Sequence, residues 1–143
     1  MPSKLGNITF YADDPHRLAA FWAAVFHYAS PEWDEPLRSE LLDSGLTEDD
    51  LAKRASADPP EGSPGPRLFF HHADDTKAGR NRLHLDISAT PGRHPTREEL
   101  DAEKDRLVAL GAEVVRLVDQ TWGPWPETYF QMKDPEGNEF CLQ

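Results

Sequence analysis

The chain has 143 residues, of which 38% are hydrophobic and 10% aromatic, and this is enough for one folded domain with its own core. Its formal net charge of −11 argues against nucleic acid as a partner, because a surface that binds nucleic acid must be basic. The single cysteine, Cys141, excludes an internal disulfide. With no apolar run of membrane-spanning length and no signal-peptide pattern after Met1, the sequence predicts a cytoplasmic protein that does not bind membranes.

The first part of the sequence predicts a strand followed by a helix. Residues 5–11 alternate between apolar and polar side chains, as in a strand with one buried face. Asp14 can cap a helix that has Pro15 at its first position, where the missing N–H of proline is not needed. Apolar residues then recur at helical spacing from Leu18 to Phe26, so this helix is expected to pack against a sheet.

The segment 30–64 holds ten acidic and three basic residues, so most of the acidic excess belongs to it. Trp33 is placed in a short strand. Thr47 precedes three acidic residues and predicts the start of a helix whose thin apolar face ends at Ala55. Residues 58–66, rich in proline and glycine, predict a loop. The segment is interpreted as an acidic surface insertion, or alternatively as a lid.

Two stretches in the middle of the chain predict strands, and the second is the strongest candidate for a site. Residues 67–72 are dense in β-forming side chains. Residues 82–88 alternate strictly between an apolar and a polar face. The apolar face has Leu83, Leu85 and Ile87, and the polar face has Arg82, His84, Asp86 and Ser88. Such a polar face is either the solvated side of an antiparallel sheet or the wall of a polar pocket.

The C-terminal part predicts one helix and three strands. Thr96 and Glu99 form a capping box at the start of the helix, and Gly111 ends it. Strands are expected at 113–118, 128–133 and 138–143. Residues 134–137 have the composition of a type I turn between the last two strands.

Two tryptophans, Trp122 and Trp125, are predicted to lie in an aromatic loop rich in glycine and proline. They can close over an aromatic or planar ligand. Alternatively, they pin the loop to the sheet or form a dimer contact.

The order of elements predicts a single α+β domain over residues 1–143. Two βαβββ modules follow one another at about 4–75 and 80–143, with the acidic insertion 30–64 in the first. The helices are expected on the outer side of a cupped mixed β-sheet, with the polar faces turned toward a shared cleft.

Three motifs in this order give the chain a resemblance to a known superfamily. They are the opening stretch 7–15, the stretch 81–86, and the closing Asp-Pro-Glu-Gly-Asn at 134–138. Together they resemble the vicinal oxygen chelate superfamily of glyoxalases, bleomycin-resistance proteins and extradiol dioxygenases. More narrowly, the stretches 65–70 and 77–86 are similar to those of glyoxalase-like domain proteins. The resemblance implies the two-module fold, a small-molecule ligand and a homodimer.

The resemblance also implies one divalent metal, zinc, nickel or iron, or otherwise no cofactor. The four ligand places of the family fall on Asn7, His71, His84 and Cys141, where the family has His, an acid or amide, His, and Glu. Only His84 matches outright, so the ligand set His71, His84 and Cys141 is incomplete. A thiolate with two imidazoles favours zinc, whereas an amide is a poor ligand. His71 is either a ligand or a hydrogen-bonded histidine at the end of its strand.

Glu139 lies two residues before Cys141 on the same strand face, so it is the substitute carboxylate and the candidate to move a proton. His84, with a metal or with Arg82, is the second catalytic candidate, because it can polarise a carbonyl or enediolate oxygen. The remaining residues expected to line the cup are Asn7, Thr9, Tyr11, Arg82, Asp86, Trp122 and Trp125.

Two functions follow from these residues and from the resemblance. The first is a metal-assisted lyase or isomerase, or a dioxygenase-type enzyme, acting on a small molecule in the cleft between the modules. The alternative is a protein that sequesters a ligand without chemistry, as resistance proteins of the superfamily do. The acidic surface and the tryptophans favour a flat, cationic ligand for the second function.

Overall fold

The computed structural model describes residues 1–29 and 32–143, and the chain divides into two units, Met1–Thr76 and Lys77–Gln143. The first two residues of the predicted acidic insertion, 30 and 31, lie outside the described residues. None of the helices in the described ranges has the length and apolar character that crossing a bilayer requires.

The first unit is a mixed three-stranded sheet with helices. Its elements are β1 (Asn7–Ala12), α1 (Pro15–Phe26), α2 (Leu37–Asp43), α3 (Glu48–Ala52), β2 (Arg54–Ala57) and β3 (Arg67–His72). The strand order is β1-β3-β2, with β1 parallel and β2 antiparallel to β3. Over the residues that the structure describes, this is one strand fewer than the predicted βαβββ order.

The core of the first unit forms where α1 packs on the sheet, as the sequence predicted. The Asp14 side chain accepts a hydrogen bond from the Arg17 N–H at 3.1 Å and so caps the helix. Phe70 is fully buried on β3 and its ring stacks on Phe10 at 5.2 Å between centroids. Trp22 of α1 lies 5.5 Å from the same Phe10 ring, so aromatic packing joins helix and sheet.

The insertion differs from its prediction at two places. Trp33 is not in a strand; its indole N–H donates to the carbonyls of Leu51 at 2.9 Å and Arg54 at 3.1 Å. The helix start predicted at Thr47 is confirmed, with a capping box between Thr47 and Asp50, but α3 ends at Ala52 and Ala55 is buried in β2. Residues 54–57 form a strand because they pair with β3 over four residues. The sequence of so short a segment does not indicate a partner that lies far away in the chain.

The second unit has the predicted βαβββ order. Its elements are β4 (Asp86–Ile87), α4 (Arg97–Leu110), β5 (Glu113–Trp122), β6 (Trp125–Lys133) and β7 (Glu139–Leu142). The strand order is β4-β7-β6-β5, with β4 parallel to β7 and the other pairs antiparallel. The capping box of Thr96 and Glu99 and the left-handed Gly111 at the end of α4 are confirmed. Both sheets are therefore mixed, and the α+β class is confirmed.

The strand predicted at 82–88 is much shorter in the structure. Only Asp86 and Ile87 form β4, and the Leu85 carbonyl accepts one further bond from the Cys141 N–H at 3.0 Å. Ile87 is buried as predicted, but the prediction for Leu83 is wrong, because 76% of its surface is exposed. The parallel register places Glu139, the first residue of β7, level with His84, so the backbone before His84 has no partner in this strand.

The predicted tryptophan loop is instead a tight hairpin. Strands β5 and β6 continue to Trp122 and Trp125, which face each other across the turn. Gly123 has φ of 58° and Pro124 has a fixed negative φ, a combination that matches the first and second central positions of a type II′ turn.

His72 ties the end of β3 to the residues before α1. Its Nδ1 lies 2.9 Å from the Asp13 carbonyl oxygen, and its Nε2 lies 2.6 Å from Oδ1 of Asp74. The hydrogen bond to Asp74, and then the one to Asp13, raise the pKa of His72 above its ordinary value.

We therefore expect His72→Gln to lower the free energy of unfolding more at about pH 5.5 than at about pH 8.5. The folded-state pKa is raised above 6.5, so the stabilisation is fully present below that value and is lost as the pH rises through the folded pKa. Urea unfolding at both pH values measures the difference, with His94→Gln in an exposed loop as the matched control. An equal loss at both pH values would contradict this assignment.

Candidate functional site

Three potential metal-ligating side chains converge where β4 pairs with β7. Asp86 and Cys141 are partners in the parallel ladder, so their side chains lie on the same face of the sheet. His84 precedes β4 by two residues, and its Nδ1 lies 3.2 Å from Oδ1 of Asp86. One nitrogen, one oxygen and one sulfur from these residues all lie within 4.8 Å of one another.

The environment of this cluster differs from one side chain to the next. The side chains of His84 and Asp86 are about half exposed, at 48% and 54%, whereas Cys141 is partly buried. Burial raises the pKa of the Cys141 thiol, and the negative charge of Asp86 raises it further. The thiol is therefore protonated at neutral pH, and a metal that binds here must displace its proton.

The donor set fits a divalent metal, and zinc in particular. Imidazole nitrogen, carboxylate oxygen and thiolate sulfur are the ligands that Zn²⁺ takes in proteins, at about 2.0–2.3 Å. Tetrahedral ligands at those lengths lie roughly 3.5 Å apart. The exposed His84 and Asp86 are free to rotate by the small amount that this spacing requires.

A pocket of about 170 Å³ opens beside the cluster, within the second unit. Its polar lining includes Arg80, His84, Lys133, Glu139 and Cys141, and its apolar lining is Val115, Met132 and Phe140. The pocket is smaller than the roughly 300–1,000 Å³ of a site for a drug-sized molecule, so it suits a ligand of few heavy atoms.

Glu139, predicted to move a proton, holds the segment that borders the pocket. Its Oε1 lies 3.1 Å from Nζ of Lys77, and its Oε2 accepts the backbone N–H of Asn81 at 2.9 Å. Lys77 also donates to the Gly79 carbonyl. Burial alone raises the pKa of Glu139, but the hydrogen bonds from Asn81 and Lys77 outweigh it and lower that pKa overall. Glu139 is thus an ionised anchor and a weak base, and its catalytic role stays a prediction.

The predicted residues of the first unit form a separate group. Asn7, Thr9 and Tyr11 alternate along the exposed face of β1. Tyr11 pairs with His71 of β3, and their rings lie 6.3 Å apart. His71 also contacts the Phe69 ring at 5.0 Å. A metal role for His71 and ligand contacts for the β1 residues stay predictions.

Arg82 and the tryptophans are predicted ligand-binding residues that do not line this pocket. Arg82 is exposed in the segment before β4. Trp122 and Trp125 stack at 5.4 Å and remain 65% and 60% exposed at the hairpin tip. Trp122 lies seven residues after Val115 along β5, a distance of roughly 23 Å in a strand, so the stacked pair stabilises the turn far from the pocket.

Sequence reasoning missed two cations and one donor that the fold brings to the site. Arg80 lies between two predicted strands, and Lys133 is the last residue of a third. Asp86 was expected to bind ligand, but not to stand beside Cys141 as a metal donor. The signal for Lys133 is its alternation with Gln131, which pairs with Cys141, and the β6–β7 register is needed to use it.

The family model described as "Glyoxalase-like domain" matches residues 7–143. The chain belongs to this glyoxalase-like family. No curated protein matches the sequence significantly.

Several solved structures resemble this glyoxalase-like protein. A glyoxalase/bleomycin resistance protein/dioxygenase family enzyme from Burkholderia phytofirmans PsJN has a TM-score of 0.63 at 15% identity, covering 98% of this chain and 97% of that chain. A mutant of the fosfomycin resistance protein FosX from Listeria monocytogenes, complexed with Mn(II) and 1S,2S-dihydroxypropylphosphonic acid, has a TM-score of 0.62 at 19% identity, covering 100% and 93%. Lactoylglutathione lyase from Agrobacterium tumefaciens has a TM-score of 0.54 at 18% identity, covering 99% and 93%. These similarities confirm the predicted glyoxalase/bleomycin resistance fold.

We expect Glu139→Gln to speed hydrogen exchange of the Asn81 amide, because the charged acceptor of that N–H becomes a neutral one. Loss of the Lys77 ion pair should also lower the free energy of unfolding by roughly 1 kcal/mol. Native-state exchange followed by NMR measures the first effect and urea unfolding the second. Glu61→Gln, in an exposed loop of the first unit, is the control. Unchanged exchange at Asn81 would refute the anchoring role.

Proposed function

We propose that this glyoxalase-like protein binds a small molecule in the pocket of its second unit, with a divalent metal held by His84, Asp86 and Cys141. The observation that supports the proposal most directly is the convergence of a nitrogen, an oxygen and a sulfur donor beside a pocket of small-molecule size. The FosX complex with Mn(II) and a phosphonate adds support by likeness of fold. A homodimer and a cytoplasmic location are further proposals, from the family resemblance and from the single cysteine.

The residues present give this site a defined chemistry. A divalent ion held by His84, Asp86 and Cys141 would supply Lewis-acid chemistry toward a carbonyl or phosphoryl oxygen of the ligand. Nδ1 of His84 and Oδ1 of Asp86 lie 3.2 Å apart, close to the separation of two ligands on one tetrahedral ion. Val115 contributes a partly exposed apolar side chain to the lining of the pocket, while the side chains of Met132 and Phe140 are buried in the core. These features support a metal-assisted lyase or isomerase.

One observation favours the alternative, a protein that sequesters its ligand without chemistry. Among the described residues that line the pocket, Glu139 is the one with a carboxylate that could act as a base. This carboxylate already binds Lys77 and the Asn81 N–H. An ionised group with two partners and a lowered pKa is a poor general base near neutral pH.

Metal analysis separates these functions. Protein purified without chelator should contain about one zinc per chain, and His84→Ala and Cys141→Ser should each reduce that content severalfold. Cobalt substitution should give a thiolate-to-metal absorption band that Cys141→Ser abolishes, while His94→Ala, in an exposed loop, should change neither result.

Two results would count against a metal-assisted enzymatic function. Metal-free protein whose melting temperature nevertheless rises with small molecules supports the sequestering function. Protein with neither metal nor any small-molecule response would overturn the proposed site altogether.

A further inference from the structure

The charges around the pocket oppose the charge of the chain as a whole. Arg80 and Lys133 line the pocket, and neither forms an ion pair within the ranges 1–29 and 32–143. The carboxylate in the lining, Glu139, is neutralised by Lys77 at 3.1 Å. The pocket therefore has an excess of positive charge in a protein of net charge −11.

The acidic neighbours of these cations do not cancel them. Lys133 pairs in register with Glu113 of β5 and Glu139 of β7, but neither carboxylate forms an ion pair with it in the described structure. Asp86 lies against His84 instead, at 3.2 Å from its Nδ1. The Lys133 ammonium thus remains available to a ligand.

Arg80 owes its place at the pocket to the Glu139 anchor. Glu139 binds Lys77 and the Asn81 N–H, which flank Arg80 on either side in the chain. This fixes the backbone of an otherwise irregular segment, so the guanidinium is held near the pocket at a smaller entropic cost. Glu139 is in this sense a positioning residue for Arg80.

We propose that Arg80 and Lys133 select a small anion, bearing a carboxylate or a phosphate-like group, as the ligand of this pocket. The inference rests on the proposed function, because the ligand occupies the same pocket. A guanidinium can bind two oxygens of such a group at once, and an ammonium adds a point charge. The volume of about 170 Å³ limits the ligand to a few heavy atoms. The flat, cationic ligand expected from the overall acidity is disfavoured here, since local charge governs a small site.

Titration of the isotope-labelled full chain, followed by amide chemical shifts, tests the proposal with four small probes. Inorganic phosphate and malonate are the anions, acetamide is the neutral probe, and methylammonium is the cation. Each is added to chelator-treated and to zinc-loaded protein. We expect the anions alone to shift amides of 80–84, 131–133 and 139–141, with binding that weakens as salt is added.

Matched variants assign the effect to individual charges. Arg80→Gln and Lys133→Gln should each weaken anion binding about tenfold, since each removes one charged hydrogen-bonding partner. Arg17→Gln and Lys4→Gln, which remove the same charges from exposed positions of the first unit, should leave it unchanged. The charge-preserving Glu139→Asp, whose shorter side chain withdraws the carboxylate from the Asn81 N–H, should weaken anion binding as well. Arg80→Gln should make this additional loss smaller if Glu139 acts through Arg80.

Three results would overturn the proposal. Acetamide or methylammonium binding in the pocket more tightly than the anions would leave the small-molecule function intact and refute anion selection. Anion binding that the control variants weaken as much as the pocket variants would show nonspecific attraction. Zinc binding by the cluster without any anion response in the pocket would retain the metal site and refute the ligand class.

Discussion

The candidate site depends on the register between β4 and β7. Asp86 stands opposite Cys141 on the pocket side, and Ile87 stands opposite Leu142 on the buried side. A slip of one residue would turn Cys141 into the core and Leu142 toward the pocket. Exposing a buried leucine or isoleucine costs about 1.5–3 kcal/mol, so core packing fixes the register that unites the donors.

The backbone reinforces this register on both sides of the short strand. The Cys141 N–H donates to the Leu85 carbonyl at 3.0 Å, and the Gln143 N–H donates to the Ile87 carbonyl at 2.8 Å. The Ala89 N–H returns a bond to the Gln143 carbonyl at 2.7 Å. A strand of two residues is thus part of a longer ladder, which is why it can hold a site.

Charge is distributed unevenly in this protein, and the pocket differs in charge from the segment that has most of the acidic residues. The acidic excess is concentrated in 30–64, whereas the pocket of the second unit has Arg80 and Lys133. Glu139 contributes to the pocket mainly by holding a loop, because its charge is neutralised by Lys77. Net charge therefore describes the surface of the chain and gives no guide to the ligand of a small cavity.

Capping residues in the sequence determined where the two long helices begin and where the second one ends. Asp14 and Pro15 define the start of α1, and Thr96 with Gly111 defines α4, because caps act within a single turn. The ordered motifs identified the fold, as the family model over 7–143 confirms. Only the tertiary structure decided that Leu83 is exposed and that Asp86 meets Cys141. Strand pairing joins residues far apart in the chain through backbone groups that every residue has, so no side-chain pattern specifies the partner.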